Sequence, residues 1–282
     1  MTRYDFTQAG LELGPAMRLA KEANAFKATT PKRSFSSYHS LSEELEKYGI
    51  ESEGIDAIPL FNPPAYKIQD NDKHFEECIT EISIRLRDYG DLNPDSLEAV
   101  RNEYVVAILH AALHIVRDDT KKKFSMRPQQ KIIDEESCGC VDYAIKDSEA
   151  LICITENKQH QIPLGFAQNI KQLESSVETN KRKRKRDEAF GDDFDYIYGI
   201  VTTGRDWHFL LYSPGEIARS KPACTIEFNQ EALDKDSEEY QALHKSVKRV
   251  LETIVGLLKD RACVEKLPSS KRTRVEEYRS KR

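Results

Sequence analysis

Residues 140–158 have the sequence CVDYAIKDSEALICITENK, and this stretch decides the fold. Two runs rich in β-branched and aromatic residues, 140–145 and 150–156, flank a short polar segment at 147–149. Two such runs around a polar turn predict a β-hairpin. The second run is apolar at successive positions, which is typical of a strand that is buried on both faces of its sheet. We therefore expect this strand to lie centrally.

Helical periodicity surrounds the hairpin on both sides. Residues 97–116 carry apolar side chains at intervals of three and four, which predicts an amphipathic helix. The positions on this face are Leu97, Val100, Tyr104, Ile108, Ala111 and Ile115. A helix that begins near Pro163, a second hairpin at 198–212 and a closing helix at 243–258 follow the first hairpin. The predicted fold class is α+β, in the order helix, β-hairpin, helix, β-hairpin, helix.

Three regions are predicted along the chain. Residues 1–92 combine short helical patterns, among them a predicted amphipathic helix at 74–89, with scattered prolines, and they predict a mainly helical N-terminal extension. Residues 93–265 hold the α+β domain, in which 121–128 is expected to be a charged break. Residues 266–282 are polar and basic, which predicts a disordered tail.

Charge is distributed unevenly over the 282 residues. The net charge is −5, yet the chain contains six consecutive cations, Lys181, Arg182, Lys183, Arg184, Lys185 and Arg186. The tail from residue 266 carries +5, so removing this tail and the +6 run from the net −5 leaves −16 for the rest of the chain. We expect the six cations to form an exposed loop that an import receptor recognises as a nuclear localisation signal, or that binds phosphates.

Composition excludes several classes of protein. The longest apolar stretch, 104–116, is too short for a bilayer and contains two histidines, so no membrane span is predicted. The N-terminus lacks the apolar core of a secretory signal. Six cysteines are ordinary for an intracellular chain of this length, and Cys138 and Cys140 have no second pair nearby that would close a zinc site.

Asp142, Glu156 and Lys158 form the candidate site. Glu156 and Lys158 share a strand face because side chains alternate along a strand, and Asp142 lies on the partner strand. Two carboxylates and an ammonium at a sheet end suit a hard divalent cation and its phosphate ligands. A three-residue turn at 147–149 would place Asp142 opposite Ile154, on the face of Glu156. A two-residue turn would place Asp142 on the wrong face unless a β-bulge corrected it.

Two further pairs of residues leave alternatives open. His110 and His114 lie one helical turn apart and could bind a metal, but their run offers no third ligand, so we favour a core or rim location. Trp207 and Tyr212 could stack on nucleic-acid bases, and we favour the alternative that they fill the core of the second hairpin.

Four blocks of sequence occur in order between residues 97 and 215. They are GCVDYAI at 139–145, ITENK at 154–158, AQNIKQL at 167–173 and YGIVTTGRDW at 198–207. In this order they resemble the C-terminal domain of fungal Crinkler-type effector proteins, which carries a core similar to the PD-(D/E)XK, or restriction-endonuclease-like, nucleases. The LxLFLAK-type header of Crinklers does not occur at this N-terminus.

The resemblance implies roles for individual residues. The implied metal ligands are Asp142, Glu156 and the helix acid Glu103. Lys158 would be the catalytic lysine. Gln168, with Gln172 one turn later, resembles the helix glutamine of such sites.

We therefore expect a nuclease that uses Mg²⁺ or Mn²⁺ to hydrolyse phosphodiester bonds, with DNA as the favoured substrate and the nucleus as the location. In a secreted protein that nucleus would be the nucleus of a host. The alternative is a non-catalytic nuclear effector that binds DNA or protein with the same fold. A third possibility, a protein-interaction scaffold, predicts no affinity for metal.

Overall fold

The computed structural model describes residues 3–29, 31–52, 54–148, 150–158, 161–184, 194–221, 224–264 and 268–280. The helices are α1 (Arg3–Gln8), α2 (Leu13–Thr29), α3 (Leu41–Glu46), α4 (Lys73–Tyr89), α5 (Glu98–Thr120), α6 (Ile162–Arg184), α7 (Glu238–Cys263) and α8 (Pro268–Ser280). The strands are β1 (Arg33–Ser34), β2 (Phe124–Ile133), β3 (Ser137–Asp147), β4 (Ala150–Asn157), β5 (Ile197–Thr202), β6 (Asp206–Ser213), β7 (Glu216–Arg219) and β8 (Cys224–Thr225).

The strands form one mixed sheet. Its order is β1-β3-β4-β5-β6-β7, with β2 paired to β3 and β8 paired to β6. The pairs β1–β3 and β4–β5 are parallel, and the other pairs are antiparallel. The predicted α+β class is confirmed. The predicted hairpin at 198–212 is formed by β5 and β6, and β4 lies between β3 and β5 as its apolar sequence requires.

Helices cover both faces of the sheet. On one face, α4, α5 and α7 share an apolar core with alternate residues of the strands, among them Tyr143, Ile200 and Phe209. On the other face, α6 and α3 pack over a second core that includes Ile154 and Val201. Side chains alternate between the two faces of a strand, so one apolar strand supplies both cores.

The two helices α4 and α5 follow directly from the sequence. The Asp72 carboxylate caps α4 by accepting hydrogen bonds from the backbone N–H groups of His74 and Phe75. The apolar stripe of α5 is buried as predicted, including Tyr104 and Ile108, which are both 0% exposed. Helix α5 ends where Lys121 adopts a left-handed conformation with φ 56°.

A further strand, β2, pairs with the predicted first hairpin. Residues 121–128 were expected to be a charged break, but β2 begins at Phe124 and pairs with β3 as far as Ile133. Strand β2 contains Pro128, which cannot donate to a ladder, and Gln129 with φ 48°. Among the described strands β2 pairs only with β3, and such an edge position tolerates proline.

Both ends of the chain differ from the predicted division. Part of the expected N-terminal extension belongs to the main core, because Phe61, Phe75 and Ile82 pack in the same cluster as α5 and α7. The expected disordered tail forms α8 over residues Pro268–Ser280. The Tyr278 hydroxyl donates to Asp260 of α7 at 2.6 Å, so the prediction of disorder is wrong for α8.

Within the ranges that the structure describes, every helix is too short or too polar to cross a bilayer.

Candidate functional site

A β-bulge sets the relative position of Asp142 and Glu156. Strand β3 ends at Asp147, which pairs with Ala150, so the turn is a two-residue one and not the three-residue turn that the favourable register requires. The register then shifts between Ile145 and Lys146, after which Tyr143 pairs with Thr155. Extending this register by one residue aligns Asp142 with Glu156. Directly opposed residues share a face, so the bulge brings the two carboxylates together.

Glu156 is a buried carboxylate with a partner on each oxygen. The residue is 4% exposed. Its Oε1 lies 2.9 Å from the Lys158 ammonium, and its Oε2 accepts a hydrogen bond of 2.7 Å from Gln172 Nε2. Burial, followed by the charge of Asp142, raises the pKa of Glu156 to about 6, against the opposing effect of Lys158. The carboxyl therefore titrates close to neutral pH.

Asp142 is half-buried beside the end of β4. Its Oδ2 accepts a hydrogen bond of 2.8 Å from the backbone N–H of Asn157, and its Oδ1 accepts one of 3.2 Å from Gln129. Burial raises the pKa of Asp142, while the Asn157 N–H and the Lys158 charge act in the opposite direction. The backbone bond fixes the carboxylate against β4, next to Glu156.

Lys158 follows β4 directly and remains an ammonium. Burial acts to lower the pKa of Lys158, but the carboxylates of Glu156 and Asp142 outweigh it, so the pKa is raised. A Cβ atom on Gly165, in the first turn of α6, would lie 3.2 Å from the Lys158 Cγ and 2.8 Å from a Val201 methyl carbon. Glycine at this position lets the start of α6 approach the lysine stem.

The glutamine that reaches the site is Gln172. The resemblance implied Gln168 first, and Gln168 is buried at 3% exposure but has no hydrogen bond to Glu156 among the described contacts. Asn169 donates to the Ile154 carbonyl and to Gln172 Oε1, both at 3.3 Å, which holds the Gln172 amide toward Glu156. The side chains that determine the position of Glu156 thus extend over one turn of α6.

The helix acid implied by the resemblance lies elsewhere. Glu103 is 49% exposed and pairs with Arg85 of α4 at 3.4 Å. Asn102 of α5 contacts the site, where its Oδ1 accepts a hydrogen bond of 2.6 Å from Asn157 Nδ2, and the charge of Glu98, also on α5, contributes to the raised pKa values of Asp142 and Lys158. Neither residue is among the site residues predicted from the sequence. The sequence feature that could have indicated them is their position in the first turns of the helix that precedes the sheet.

The basic run is the end of a helix rather than a loop. Residues Lys181 to Arg184 continue α6, and Lys185 and Arg186 lie outside the described residues. Arg182 and Lys183 are exposed, as a receptor signal requires. One residue before the run, the Asn180 amide bonds both the N–H and the carbonyl of Leu151, at 2.9 and 2.8 Å. The cations therefore follow a position that is anchored on β4.

The two aromatic candidates are part of the core. Trp207 is 0% exposed and its indole N–H donates to the Gly204 carbonyl at 3.1 Å, and Tyr212 is 6% exposed. Neither ring is available for stacking on a base. Cys138 and Cys140 are free thiols.

Asp142 and Glu156 are the residues that could hold a divalent metal. Their oxygens are the hard ligands that Mg²⁺ and Mn²⁺ prefer. The long Gln129 bond leaves Asp142 Oδ1 weakly engaged. This donor set fits an oxygen-ligated cation that takes a water as a further ligand.

The fold and the site define an α+β protein with an acidic pair and a lysine at the end of a central hairpin. The chain is 29% identical over 235 residues to Crinkler effector protein 1 of Rhizophagus irregularis. The match covers 82% of this chain and 47% of that protein, so the chain spans about half the length of the curated relative that it matches. No family model matches the chain.

Proposed function

We propose that this protein is a Crinkler-type effector whose α+β core hydrolyses phosphodiester bonds of DNA with the help of Mg²⁺ or Mn²⁺. The observation that carries the proposal is the β3–β4 register, which pairs Tyr143 with Thr155 and so brings Asp142 next to Glu156, with Lys158 2.9 Å from Glu156. The similarity to Crinkler effector protein 1 supports the effector class. The restriction-endonuclease-like core implied by the sequence blocks supports the nuclease activity.

The residues have distinct roles in this reaction. Asp142 and Glu156 hold the cation, which when bound supplies positive charge at the scissile phosphate. Gln172 fixes the Glu156 carboxylate, and Asn157 fixes that of Asp142. Because its pKa is raised, Lys158 acts as a positive charge that stabilises the developing phosphorane and not as a base.

Local positive charge is needed here because of the charge of the body. Removing the +6 run and the +5 tail from the net −5 leaves −16, which repels a polyanion. A cation at the carboxylate pair and the ammonium of Lys158 offset this repulsion at the site. DNA binding is therefore expected to weaken steeply with salt.

Plasmid cleavage tests the proposal. Purified protein is incubated with supercoiled plasmid in Mg²⁺, in Mn²⁺ and in EDTA, and nicked and linear products are quantified. We expect cleavage that requires metal and that falls by at least about a hundredfold in Lys158→Ala. The matched control is Lys146→Ala, a lysine of the same hairpin that bonds Gln130 at 2.9 Å.

Activity that persists unchanged in Lys158→Ala would contradict the proposal and indicate a contaminating nuclease. Equal losses in the Lys158 and Lys146 variants would indicate a general effect on the hairpin. The site itself is examined by thermal denaturation, in which Mg²⁺ should raise the Tm of the parent protein and leave that of Asp142→Asn unchanged.

A non-catalytic effector that binds DNA or protein is the second candidate. One observation favours it: both oxygens of Glu156 are already engaged, by Lys158 and Gln172, and the residue is 4% exposed. A metal ion must compete with these partners. This candidate predicts DNA or protein binding without metal-dependent cleavage and without a Tm shift in Mg²⁺.

For the location, we propose that the run from Lys181 to Arg186 directs the protein to a nucleus through an import receptor. The exposed side chains of Arg182 and Lys183 support this role. Replacing the six cations by glutamine should move a fluorescent fusion out of the nucleus. The matched control replaces the cations of the tail from residue 266, and loss of nuclear signal in that control alone would assign the signal to the tail.

A further inference from the structure

A second group of metal-ligand side chains lies on the outer side of α4 and α5. In the sequence, His110 and His114 lack a third ligand. The structure supplies it from α4, because His74 and Glu77 lie one turn apart on the side of α4 that faces His114. The ligand atoms of His74, Glu77 and His114 all lie within 4.8 Å of one another.

The imidazole ring of His74 is held by two carboxylates. His74 Nδ1 lies 3.1 Å from Glu77 Oε2, and its Nε2 lies 2.7 Å from Asp118 Oδ2. The centroids of the His74 and His114 rings are 5.3 Å apart. A carboxylate that bonds one ring nitrogen of a histidine and leaves the other directed at the ligand cluster is the arrangement that orients histidines in metal sites.

Both helices are rigid at this point. Asp72 caps the first turn of α4, in which His74 lies, and Glu77 follows directly after that turn. Below them, Cys78 Sγ lies 3.8 Å from the Ala107 carbonyl of α5, and Phe75 is 0% exposed in the shared core. The ligands are therefore presented by packed secondary structure and not by loops, which preorganises them.

We propose that His74, Glu77 and His114 bind Zn²⁺, with Asp118 positioning the His74 ring and water at the fourth place. Two imidazoles and one carboxylate are a set that Zn²⁺ takes in tetrahedral sites, with Zn–N distances of about 2.0–2.1 Å. These distances require ligand atoms about 3.3 Å apart, which small side-chain rotations reach from the present arrangement. Glu77 and His114 are exposed and free to make that movement.

A cavity beside the cluster leaves room for water and other exchangeable ligands of a bound metal. A cavity of about 620 Å³ is lined by His74, Glu77, His110 and His114 together with Arg85. Zn²⁺ is favoured over Mg²⁺ here because imidazole nitrogen is a borderline ligand that suits the later transition metals.

This site is separate from the carboxylate pair at the end of the β3–β4 hairpin. Both contact α5, but Glu98 and His114 are sixteen residues apart, which corresponds to about 24 Å along the helix. A metal at the α4–α5 site would clamp two helices of the core together, and its binding does not depend on the proposed nuclease function.

Isothermal titration with ZnCl₂ tests the site. The protein is the full chain without an affinity tag, in a background of Cys138→Ser, Cys140→Ser, Cys224→Ser and Cys263→Ser, which removes the partly and fully exposed thiols. We expect saturable binding of a single Zn²⁺, lost by more than about a hundredfold in His114→Asn. Asp118→Asn should weaken binding by about tenfold, as expected for a positioning residue.

Two control variants define the outcomes. His39→Asn removes an exposed histidine on the opposite side of the sheet, and Glu156→Gln alters the carboxylate pair. Both should bind Zn²⁺ as the background protein does. The proposal is overturned if the background protein shows no saturable Zn²⁺ binding, if His114→Asn and His39→Asn bind equally, or if only Glu156→Gln loses the ion. Because His114 is exposed, its variant is expected to fold, and circular dichroism checks this.

Discussion

The helical layers on the two faces of the sheet differ in the polarity of the side chains that they bury. In α5 the buried residues are apolar apart from Arg101. In α6 many buried residues are polar or charged, namely Gln168, Asn169, Lys171, Gln172, Ser175, Ser176 and Asn180. Helix α6 is covered on its second side by α3 and by the short helical turn Phe35–Ser37, so polar side chains that would otherwise meet water are enclosed.

This difference shows which layer serves the site. Burying polar groups costs free energy unless hydrogen bonds offset the lost hydration. An α6 of this composition is not the arrangement that maximises stability. Two of these residues, Asn169 and Gln172, form bonds that lead toward Glu156, whereas Asn180 bonds the backbone of Leu151 on β4. We infer that the α5 layer mainly stabilises the fold and that the polar residues of the α6 layer also position the carboxylate.

The largest expected effect lies in the apolar layer. Ile108→Ala removes a side chain that is 0% exposed between α5 and its neighbours, and the cavity should lower the free energy of unfolding by about 3 kcal/mol. In α6, Ser176→Ala removes only a hydroxyl bonded to the Gln172 carbonyl of its own helix, at 2.6 Å, and should cost less than about 1 kcal/mol. Urea unfolding measures both. Similar losses would contradict the division of roles between the layers.

The next effect concerns the contact between β5 and α6. A Cβ atom on Gly199 would lie 2.1 Å from Asn169 Oδ1 and 2.8 Å from a Leu173 methyl carbon. Gly199→Ala must displace the Asn169 amide, so we expect a loss of about 2–3 kcal/mol. The double variant Gly199→Ala/Asn169→Ala should be less destabilised than the sum of the two single variants. Strict additivity would show that the clash is with Leu173 and not with Asn169.

Glu156 should make stability depend on pH. Its pKa is raised from an ordinary 4.5 to about 6, so between these values the folded protein binds more protons than the unfolded chain. Stability without metal should therefore fall as pH rises through this window, by about 2 kcal/mol, and the fall should be reduced in Glu156→Gln. Urea unfolding in EDTA from about pH 4 to pH 7 measures the slope. A parent protein whose stability rises through this window relative to Glu156→Gln would show that the carboxyl is not raised.

The smallest expected effect on stability distinguishes the roles of two glutamines of α6, Gln172 and Gln168. Gln172→Ala removes the donor to Glu156 Oε2 and should destabilise the fold by about 1–2 kcal/mol at neutral pH. It should also raise the pKa of Glu156 further, because that hydrogen bond favours the carboxylate. Gln168→Ala removes the same side chain one turn earlier and is the matched control, with no expected change in the pH dependence. An identical pH profile for the two variants would remove Gln172 from the site.

Much of the fold could be predicted because it is encoded locally. The periodicity of α4 and α5 and the hairpin of β5 and β6 depend on neighbours in sequence. Strand β2 could not be recognised, since Pro128 and its polar neighbours are tolerated only because the strand is at an edge. Helix α8 has too few apolar residues to be predicted, and it is held by distant partners, with Lys271 bonding Asp195 at 2.8 Å.

The same distinction applies to the site. Asp142, Glu156 and Lys158 could be proposed as one site because strand alternation and hairpin pairing relate them. The choice of Glu98 and Asn102 over Glu103, and of Gln172 over Gln168, depends on how α5 and α6 are rotated against the sheet. That rotation is set by packing on both of their sides, which a single sequence does not display.

The bulge between Ile145 and Lys146 is what places Asp142 and Glu156 on the same face of the sheet. Each single-residue shift along a strand pair exchanges the two faces of the sheet, so one further shift would move Asp142 to the face opposite that of Glu156. An insertion or deletion of one residue in β3 or β4 between Asp142 and Glu156 would therefore separate the carboxylates even if every side chain of the site were retained. Only a second, compensating insertion or deletion could return the two carboxylates to the same face. We therefore expect related sequences that differ in length in this hairpin to carry two such changes together.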